Sequence, residues 1–249
     1  MQPLLHRCGI TQNDTRLAGK GIRVAVLDGG VSPLPAFGER LTRIHYDGAP
    51  DKTTGVEHAT RCASLIGSAH PGAVGLAPYA DLVSINVSTG HAVDPKKVQS
   101  ALTWLQTHRV DIISASFVLD GPSSTLLQLT EALIHRGTAI VGAAANTTTR
   151  QAYPWIRSVR GSLRVFDATI PKAALTNSDA ILVAISGSEL PVVGCAGDVI
   201  PNWHGRSSGS TALIAGLLAR WLSHGASVAQ AINRAATRFG NMPNSERPR

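Results

Sequence analysis

Four polar residues that lie far apart in the chain could together support nucleophilic catalysis. Asp28 follows the apolar run RVAVL, and Asn146 follows the apolar run AIVGAAA. His58 and Ser208 each stand where a helix is predicted to begin. A hydroxyl nucleophile needs a histidine base, a carboxylate that fixes the tautomer of that histidine, and an amide donor for the oxyanion. These four residues supply the required groups, provided that the fold brings them together.

The serines of the stretch GRSSGSTALIAG, residues 205–216, permit two interpretations. Serine side chains at a helix start commonly accept hydrogen bonds from the free N–H groups of the first turn, so the cluster could simply cap a helix. Alternatively, one of the serines is a nucleophile. The stretch taken alone favours capping, and a catalytic role depends on the other three residues.

The order of apolar and amphipathic segments predicts the elements that would position these groups. The predicted strands are 23–27, 81–87, 111–115, 139–144, 163–167 and 180–185, and the predicted helices are 58–66, 95–108, 125–135, 208–223 and 227–238. Apolar strands that alternate with amphipathic helices indicate a single α/β domain with a mostly parallel sheet covered on both faces. Sites in such sheets form at the carboxyl ends of the strands, so Asp28 and Asn146 are expected at one edge.

Local capping signals support three of the predicted helix ends. Asp94 followed by Pro95 is typical of a helix start. Ser227 and Gln230 have the spacing of a capping box, and Gly240 is a typical stop.

Composition limits the possible partners. The chain has 249 residues, of which 43% are hydrophobic and 16% are charged, as expected for a folded protein with a large core. Its net charge of +7 favours nucleic acid, an anionic membrane or an acidic peptide. Only 4% of the residues are aromatic, which disfavours stacking on bases, and no apolar run approaches the roughly 18–20 residues that cross a bilayer. We therefore expect neither a nucleic acid nor a membrane as partner.

The three cysteines, Cys8, Cys62 and Cys195, cannot all pair within the chain. This number, together with an N-terminus that lacks the apolar core of a signal peptide, predicts a reducing, cytoplasmic location. Cys62 lies four residues after His58 and can share its helix face, so a thiol nucleophile is an alternative to the serine. No group of residues has metal-ligand spacing, and neither a metal nor another cofactor is expected.

Six segments, in this order, resemble the motifs of the subtilisin-like serine proteases, the subtilases. They are GKGIRVAVLDGGV, EHATRCAS, GLAPYADLVSINV, DIISASF, AIVGAAAN and GRSSGSTALIAG. The spacings of 30, 88 and 62 residues along the series Asp28, His58, Asn146 and Ser208 suit that family. The resemblance extends from about residue 19 to residue 216. The segment VAVLDGGV is also similar to the subtilase domains that mature cyanobactin-type ribosomal peptides.

The resemblance implies a subtilisin-like catalytic domain at 19–240, after an N-terminal extension at 1–18 and before a flexible tail at 241–249. It implies that Ser208 attacks a peptide bond, that His58 is the base and that Asp28 orients His58. Asn146 would hold the oxyanion. The Ala215–Gly216 pair matches the family's serine helix in a register that favours Ser208. Ser210 is the alternative nucleophile, because an alanine follows it two residues later. The implied substrate-binding residues are Ser114, Ser116, Phe117, Val118, Ala143, Ala144, Ala145 and Arg206.

The chain departs from the family where glycine is usual, at Ala59, Val118, Ala145 and Arg206. Each departure adds a side chain where backbones normally pass closely, which predicts a narrowed cleft. Arg206 would read a substrate carboxylate or restrict access. The predicted function is a serine endopeptidase that processes one specific intracellular peptide, an acidic ribosomal precursor. The alternative is a catalytically inactive subtilase fold that acts as a peptide-binding subunit.

Overall fold

The computed structural model describes residues 2–10, 18–44, 54–89, 92–119, 123–146, 159–169 and 179–240. The strands are β1 Arg23–Asp28, β2 Leu41–Ile44, β3 Asp81–Asn86, β4 Ile112–Ala115, β5 Ala139–Ala143, β6 Leu163–Phe166, β7 Ile181–Ala184, β8 Ser188–Val193 and β9 Val199–His204. The α-helices are α1 Gln2–Arg7, α2 Thr54–Gly67, α3 Pro95–Leu105, α4 Ser124–His135, α5 Arg206–Ser223 and α6 Val228–Phe239.

A seven-stranded parallel sheet, in the order β2-β3-β1-β4-β5-β6-β7, forms the centre of the fold. Both faces are covered, as the interior strand β1 illustrates. Val24 and Val26 join the core cluster that contains residues of α2, α5 and α6, whereas Ala25 and Leu27 join the cluster that contains residues of α3 and α4. Alternate side chains of a strand point to opposite faces, so an unbroken apolar run is needed here. The predicted α/β class is confirmed.

The capping signals have different outcomes in different helices. Asp94 caps α3 with Pro95 as its first residue, and Ser227 with Gln230 forms the predicted capping box of α6, which ends at Gly240. Helix α5 differs, because its N-cap is Gly205 and no side chain caps it. The helix begins at residue 206, so the serines lie inside its first turns. The interpretation of the serine cluster as a set of caps is therefore wrong.

Three elements of the structure were not predicted. These are the edge strand β2, the antiparallel hairpin of β8 and β9, and helix α1. Helix α1 belongs to the main core, because Leu4, Leu5 and Cys8 are buried in the same cluster as residues of α5 and α6. The cysteines at 8, 62 and 195 are all free. The predicted tail at 241–249 lies outside the described residues, and no described helix is long and apolar enough to cross a membrane.

Helix α5 runs through the interior, with every residue from 207 to 220 buried. Its first turn can approach the end of β7 closely because glycines face each other there. A Cβ atom on Gly187 would lie 2.1 Å from Ser210 N, and one on Gly209 would lie 2.2 Å from Gly187 O. A larger residue at either position would push the first turn of α5 away from the sheet.

Candidate active site

Asp28 and His58 form a bonded pair at the carboxyl end of β1. Asp28 is the last residue of that strand, and His58 lies on the second turn of α2. His58 Nδ1 lies 2.9 Å from Asp28 Oδ2 and 3.1 Å from Oδ1. A carboxylate accepts from an imidazole N–H, so the pair assigns the proton to Nδ1 and leaves the Nε2 lone pair free. That is the tautomer a general base requires.

Short-range features of the sequence bring β1 and α2 together. A Cβ on Gly29 would lie 2.2 Å from the carbonyl carbon of Gly55, so the loop after Asp28 can touch the start of α2 only without a side chain. Thr60 then links the two segments, because its hydroxyl donates to the Val56 carbonyl oxygen and accepts from Ser32 N. The geometry of the Asp28–His58 pair therefore depends on residues next to it in sequence.

The electrostatics of the pair favour a protonated imidazole. The negative charge of Asp28 raises the pKa of His58, whereas burial acts in the opposite direction. The His58 side chain remains 35% exposed, so a substrate can reach it, while that of Asp28 is 10% exposed. A base next to a fixed carboxylate is stabilised after it accepts a proton.

The Ser208 hydroxyl is not bonded to this pair. It donates to the Ser116 carbonyl oxygen at 3.1 Å, and the Ser116 hydroxyl donates to the Ser208 carbonyl oxygen at 3.3 Å. Both Ser208 and His58 are described, and no hydrogen bond joins them in this structure. Catalytic hydrogen bonds are often long or misaligned without substrate. Ser210 is fully buried and donates to the carbonyl oxygens of Ile185 and Arg206, which leaves it out of reach of a peptide.

Asn146 lies at the carboxyl end of the sheet, after β5, and contacts the serine helix. It is exposed, and its Oδ1 accepts from the backbone N–H of Ser207 at 3.1 Å. With Oδ1 engaged in this way, the Nδ2 group is the part of the side chain left to donate. The amide donor and the start of α5 are thus held together, as an oxyanion site beside Ser208 requires.

The other predicted substrate-binding residues differ in accessibility. Phe117, Val118 and Ala145 are partly exposed, whereas Ala143 and Ala144 are buried. Ser114 lies within β4 and is 1% exposed, so its side chain has no access to a peptide in this structure. Ser116 is buried and bonded to Ser208, as described above.

The positions at which the chain lacks the glycine of the subtilases also differ from one another in burial. Ala59 is fully buried in the main core, so its methyl group does not narrow a cleft. Arg206 is exposed and has φ +47°, a left-handed conformation that costs a side-chain-bearing residue energy. The structure thus places one bulky, strained residue two positions before Ser208.

Cys62 completes a trio with Asp28 and His58, in which one ligand atom of each residue lies within 4.8 Å of the others. Sequence spacing alone did not indicate this group. Burial, followed by the charge of Asp28, raises the pKa of the Cys62 thiol well above its usual value. Both nucleophilic attack and metal binding require the thiolate, so a protonated thiol is poorly suited to either role.

Trp203 and Asp167 are two further residues at the site that sequence reasoning missed. The Trp203 ring meets His58 edge-on, with ring centroids 6.0 Å apart and an interplanar angle of 71°. Asp167 is fully buried, and its backbone N–H donates to the Ser207 hydroxyl. Neither residue belongs to one of the six motifs, and both reach the site through tertiary contacts.

Comparisons with known proteins show the family and the fold of the chain. The sequence profile of the Subtilase family matches residues 19–176. Subtilisin Savinase of Lederbergia lenta is 28% identical over 148 residues, which are 58% of this chain and 52% of that protein. The chain therefore spans about half the length of this curated relative.

Two solved structures share the fold over most of the chain. The protease domain of PatA, solved as a mutant, has a TM-score of 0.72 and 18% identity, and the match covers 90% of this chain and 88% of that one. The prenylagaramide maturation protease PagA has a TM-score of 0.68 and 20% identity, covering 90% and 82%. Because the family profile matches well over half of the sequence, this chain belongs to the subtilase family.

Proposed function

We propose that the protein is a serine endopeptidase with Ser208 as nucleophile, His58 as base and Asp28 as the group that orients the base. The main support is the bonded Asp28–His58 pair, which supplies an oriented base. A second support is the bond from Asn146 to Ser207, the residue before Ser208, which brings an amide donor to the first turn of α5. Membership of the subtilase family supports the same reaction class.

In the proposed reaction the Ser208 hydroxyl leaves the Ser116 carbonyl oxygen and attacks the scissile carbonyl carbon. Its proton passes to His58 Nε2, and Asp28 stabilises the resulting imidazolium. Asn146 Nδ2 and the backbone N–H of Ser208 donate to the oxyanion. The intermediate collapses when His58 returns the proton to the leaving amine, which forms an acyl-enzyme. Water then attacks by the same route and releases the second product.

We further propose that the substrate is an acidic precursor peptide processed in the cytoplasm. The chain carries a net charge of +7, and the exposed Arg206 lies two residues from Ser208. PagA, which shares the fold of this chain, is by its name a prenylagaramide maturation protease. Three free cysteines fit a reducing compartment.

The reciprocal bonds between Ser116 and Ser208 favour a second candidate, an inactive subunit that binds peptides. A fluorophosphonate probe separates the two, because it labels an activated serine. An active peptidase is labelled at Ser208, and Ser208→Ala abolishes the labelling. A folded wild-type protein that is never labelled would instead support the binding subunit.

The substrate proposal has its own experiment. Cleavage of an acidic peptide and of a charge-neutralised version is measured from low to high salt. At about 0.15 M ionic strength the screening length is about 8 Å, so attraction at the rim weakens while the buried chemistry does not. We expect the acidic peptide to be cleaved faster at low salt and to lose that advantage as salt rises. Equal rates for both peptides at every salt concentration would rule out recognition by charge.

A further inference from the structure

Residues 186–188, here called the brace loop, pack directly against the first turn of α5. The approach is so close that a Cβ on Gly187 would lie 2.4 Å from the Arg206 carbonyl oxygen. The Ser188 hydroxyl also accepts from the backbone N–H of Arg206 at 3.3 Å. A movement of the brace loop would therefore shift the turn that carries Ser208.

Asp167 holds the brace loop from the inside. Its Oδ2 accepts from Gly187 N at 3.2 Å and from the Ser188 hydroxyl at 3.4 Å. Its Oδ1 accepts from the backbone N–H and the hydroxyl of Thr169, and its own backbone N–H donates to the Ser207 hydroxyl. A buried carboxylate with this many donors is stable in one geometry. Asp167 thus links the brace loop to the start of α5.

Arg7 holds the same loop from the other side. Its guanidinium donates to the carbonyl oxygens of Ser188 and Ser186, the second at 3.5 Å. Arg7 is the last residue of α1, and the neighbouring Leu4 and Cys8 are buried in the main core, so the guanidinium is presented from a fixed support. Hydrogen bonds from a charged donor are stronger than those between neutral groups.

We propose that Arg7 is a positioning residue for catalysis, which acts through the brace loop on the location of Ser208. This inference rests on the proposed role of Ser208 as nucleophile. Arg7 lies outside the segment 19–176 that matches the subtilase profile. Arg7 makes no contact with the catalytic pair, so its removal should act through the brace loop and mainly lower kcat. Arg7 would thus support the position of Ser208 without touching the reacting atoms.

The test compares Arg7→Ala with Arg238→Ala. Arg238 is a matched control, because its guanidinium donates to the Gly9 carbonyl oxygen at 2.8 Å and holds the same N-terminal segment without contacting the brace loop. We expect Arg7→Ala to lower kcat roughly ten-fold with KM within about two-fold, since small misplacements of a reacting group are costly. Arg238→Ala should lower Tm by about as much as Arg7→Ala does, and it should keep kcat at the wild-type value. Equal losses of kcat in both variants, or none in Arg7→Ala, would overturn the proposal.

A second measurement does not depend on activity. Amide hydrogen exchange is followed at Gly187, Arg206 and Ser207, whose N–H groups bond to Asp167, Ser188 and Asn146 respectively. We expect faster exchange at these sites in Arg7→Ala and not in Arg238→Ala. If the wild-type protein has no peptidase activity but exchange is still faster in Arg7→Ala than in wild type, the positioning role is sustained and the proposed function is refuted. Unchanged exchange in Arg7→Ala would refute the positioning role.

Arg7→Lys and Ser188→Ala keep the test decisive if Arg7→Ala fails to fold. Lysine retains the charge but has a shorter reach, so kcat should lie between wild type and the ten-fold loss. Ser188→Ala removes the hydroxyl that bonds Asp167 and Arg206 while leaving the carbonyl that Arg7 contacts. If both residues act through the brace loop, the double variant Arg7→Lys with Ser188→Ala loses less kcat than the product of the single losses. If the two losses of kcat simply multiply in the double variant, Arg7 and Ser188 do not act through the same loop.

Discussion

The Asp28–His58 pair and the first turn of α5 are two halves of one proposed site, and they are built differently. The pair is bonded at 2.9 Å and is supported by its own neighbours, Gly29 and Thr60. The turn depends on distant parts of the chain, and Ser208 itself bonds to a carbonyl oxygen and not to His58.

The difference follows from the charge of the groups. A carboxylate and an imidazole attract each other strongly at short range, so the pair reaches its working geometry without substrate. A neutral hydroxyl gains about as much from one carbonyl oxygen as from another acceptor, so the Ser208 hydroxyl can change partners at little cost in free energy. We infer that the acid–base half is preorganised, whereas the nucleophile half is completed when a peptide enters.

The largest expected effect concerns the nucleophile half. Ser208→Ala should reduce peptide cleavage by roughly 10⁴-fold or more and abolish fluorophosphonate labelling, since removal of the nucleophile disables the catalytic unit. Ser210→Ala is the matched control, because Ser210 is fully buried and bonds only to backbone carbonyls. It should retain most of the labelling. If labelling is lost in Ser210→Ala alone, the nucleophile is Ser210.

The next effect tests the preorganised half through pH. Because Asp28 raises the pKa of His58 above its ordinary value of about 6.5, kcat/KM should fall as pH drops through that raised pKa. Asp28→Asn should lower the maximum about 10⁴-fold and shift the acidic limb to lower pH. The pH dependence of kcat/KM measures both changes. A limb that does not move would show that Asp28 does not set the pKa of the base.

A smaller effect is expected at the oxyanion donor. Asn146→Ala should reduce kcat by about 10²- to 10³-fold with little change in KM, because the donor acts on the transition state. Asn86→Ala is a suitable control, since Asn86 ends β3 at the same edge of the sheet and, among the described residues, its side-chain oxygen accepts only from Ser88. Steady-state kinetics decide the matter. A rise in KM with unchanged kcat would mean that Asn146 binds substrate only.

The smallest effect concerns backbone strain at Arg206. Replacement by glycine should raise the free energy of unfolding by up to about 1 kcal/mol, because glycine adopts a positive φ without penalty. It should also broaden the set of peptides cleaved. Glu189→Gly is the control, since φ is +58° there as well. It should change stability and leave the set of cleaved peptides unchanged. An identical cleavage profile in wild type and Arg206→Gly would show that the arginine does not face the substrate.

The sequence predicted the fold where the apolar pattern was strong. Six strands of the sheet, β1 and β3–β7, and the helices α2–α6 were found, with ends that differ by a few residues. The hairpin was missed because Pro191 and Pro201 interrupt it, and proline argues against a strand. Strand β2 has four residues and no fully buried one, and helix α1 has six, too few to show a period.

The site was predicted only as far as its residues lie in motifs. Asp28 and Asn146 follow predicted strands, and His58 begins a predicted helix. Their location at one edge of the sheet could therefore be inferred. The bonds from Arg7 to the brace loop could not be inferred, because Arg7 reaches residues about 180 positions away. Contacts over such distances leave no periodic signal in one sequence.

The packing of α1 has a consequence for the order in which the chain folds during synthesis. Leu4 and Leu5 share their core cluster with residues of α5 and α6, and Gly9 accepts a hydrogen bond from Arg238, 229 positions later. Ribosomes add roughly 5 to 20 residues per second, so this apolar segment waits roughly 10 to 40 seconds for its partners. Helix α1 is therefore made long before the helices that cover it, and until it docks its leucines are a natural target for chaperones.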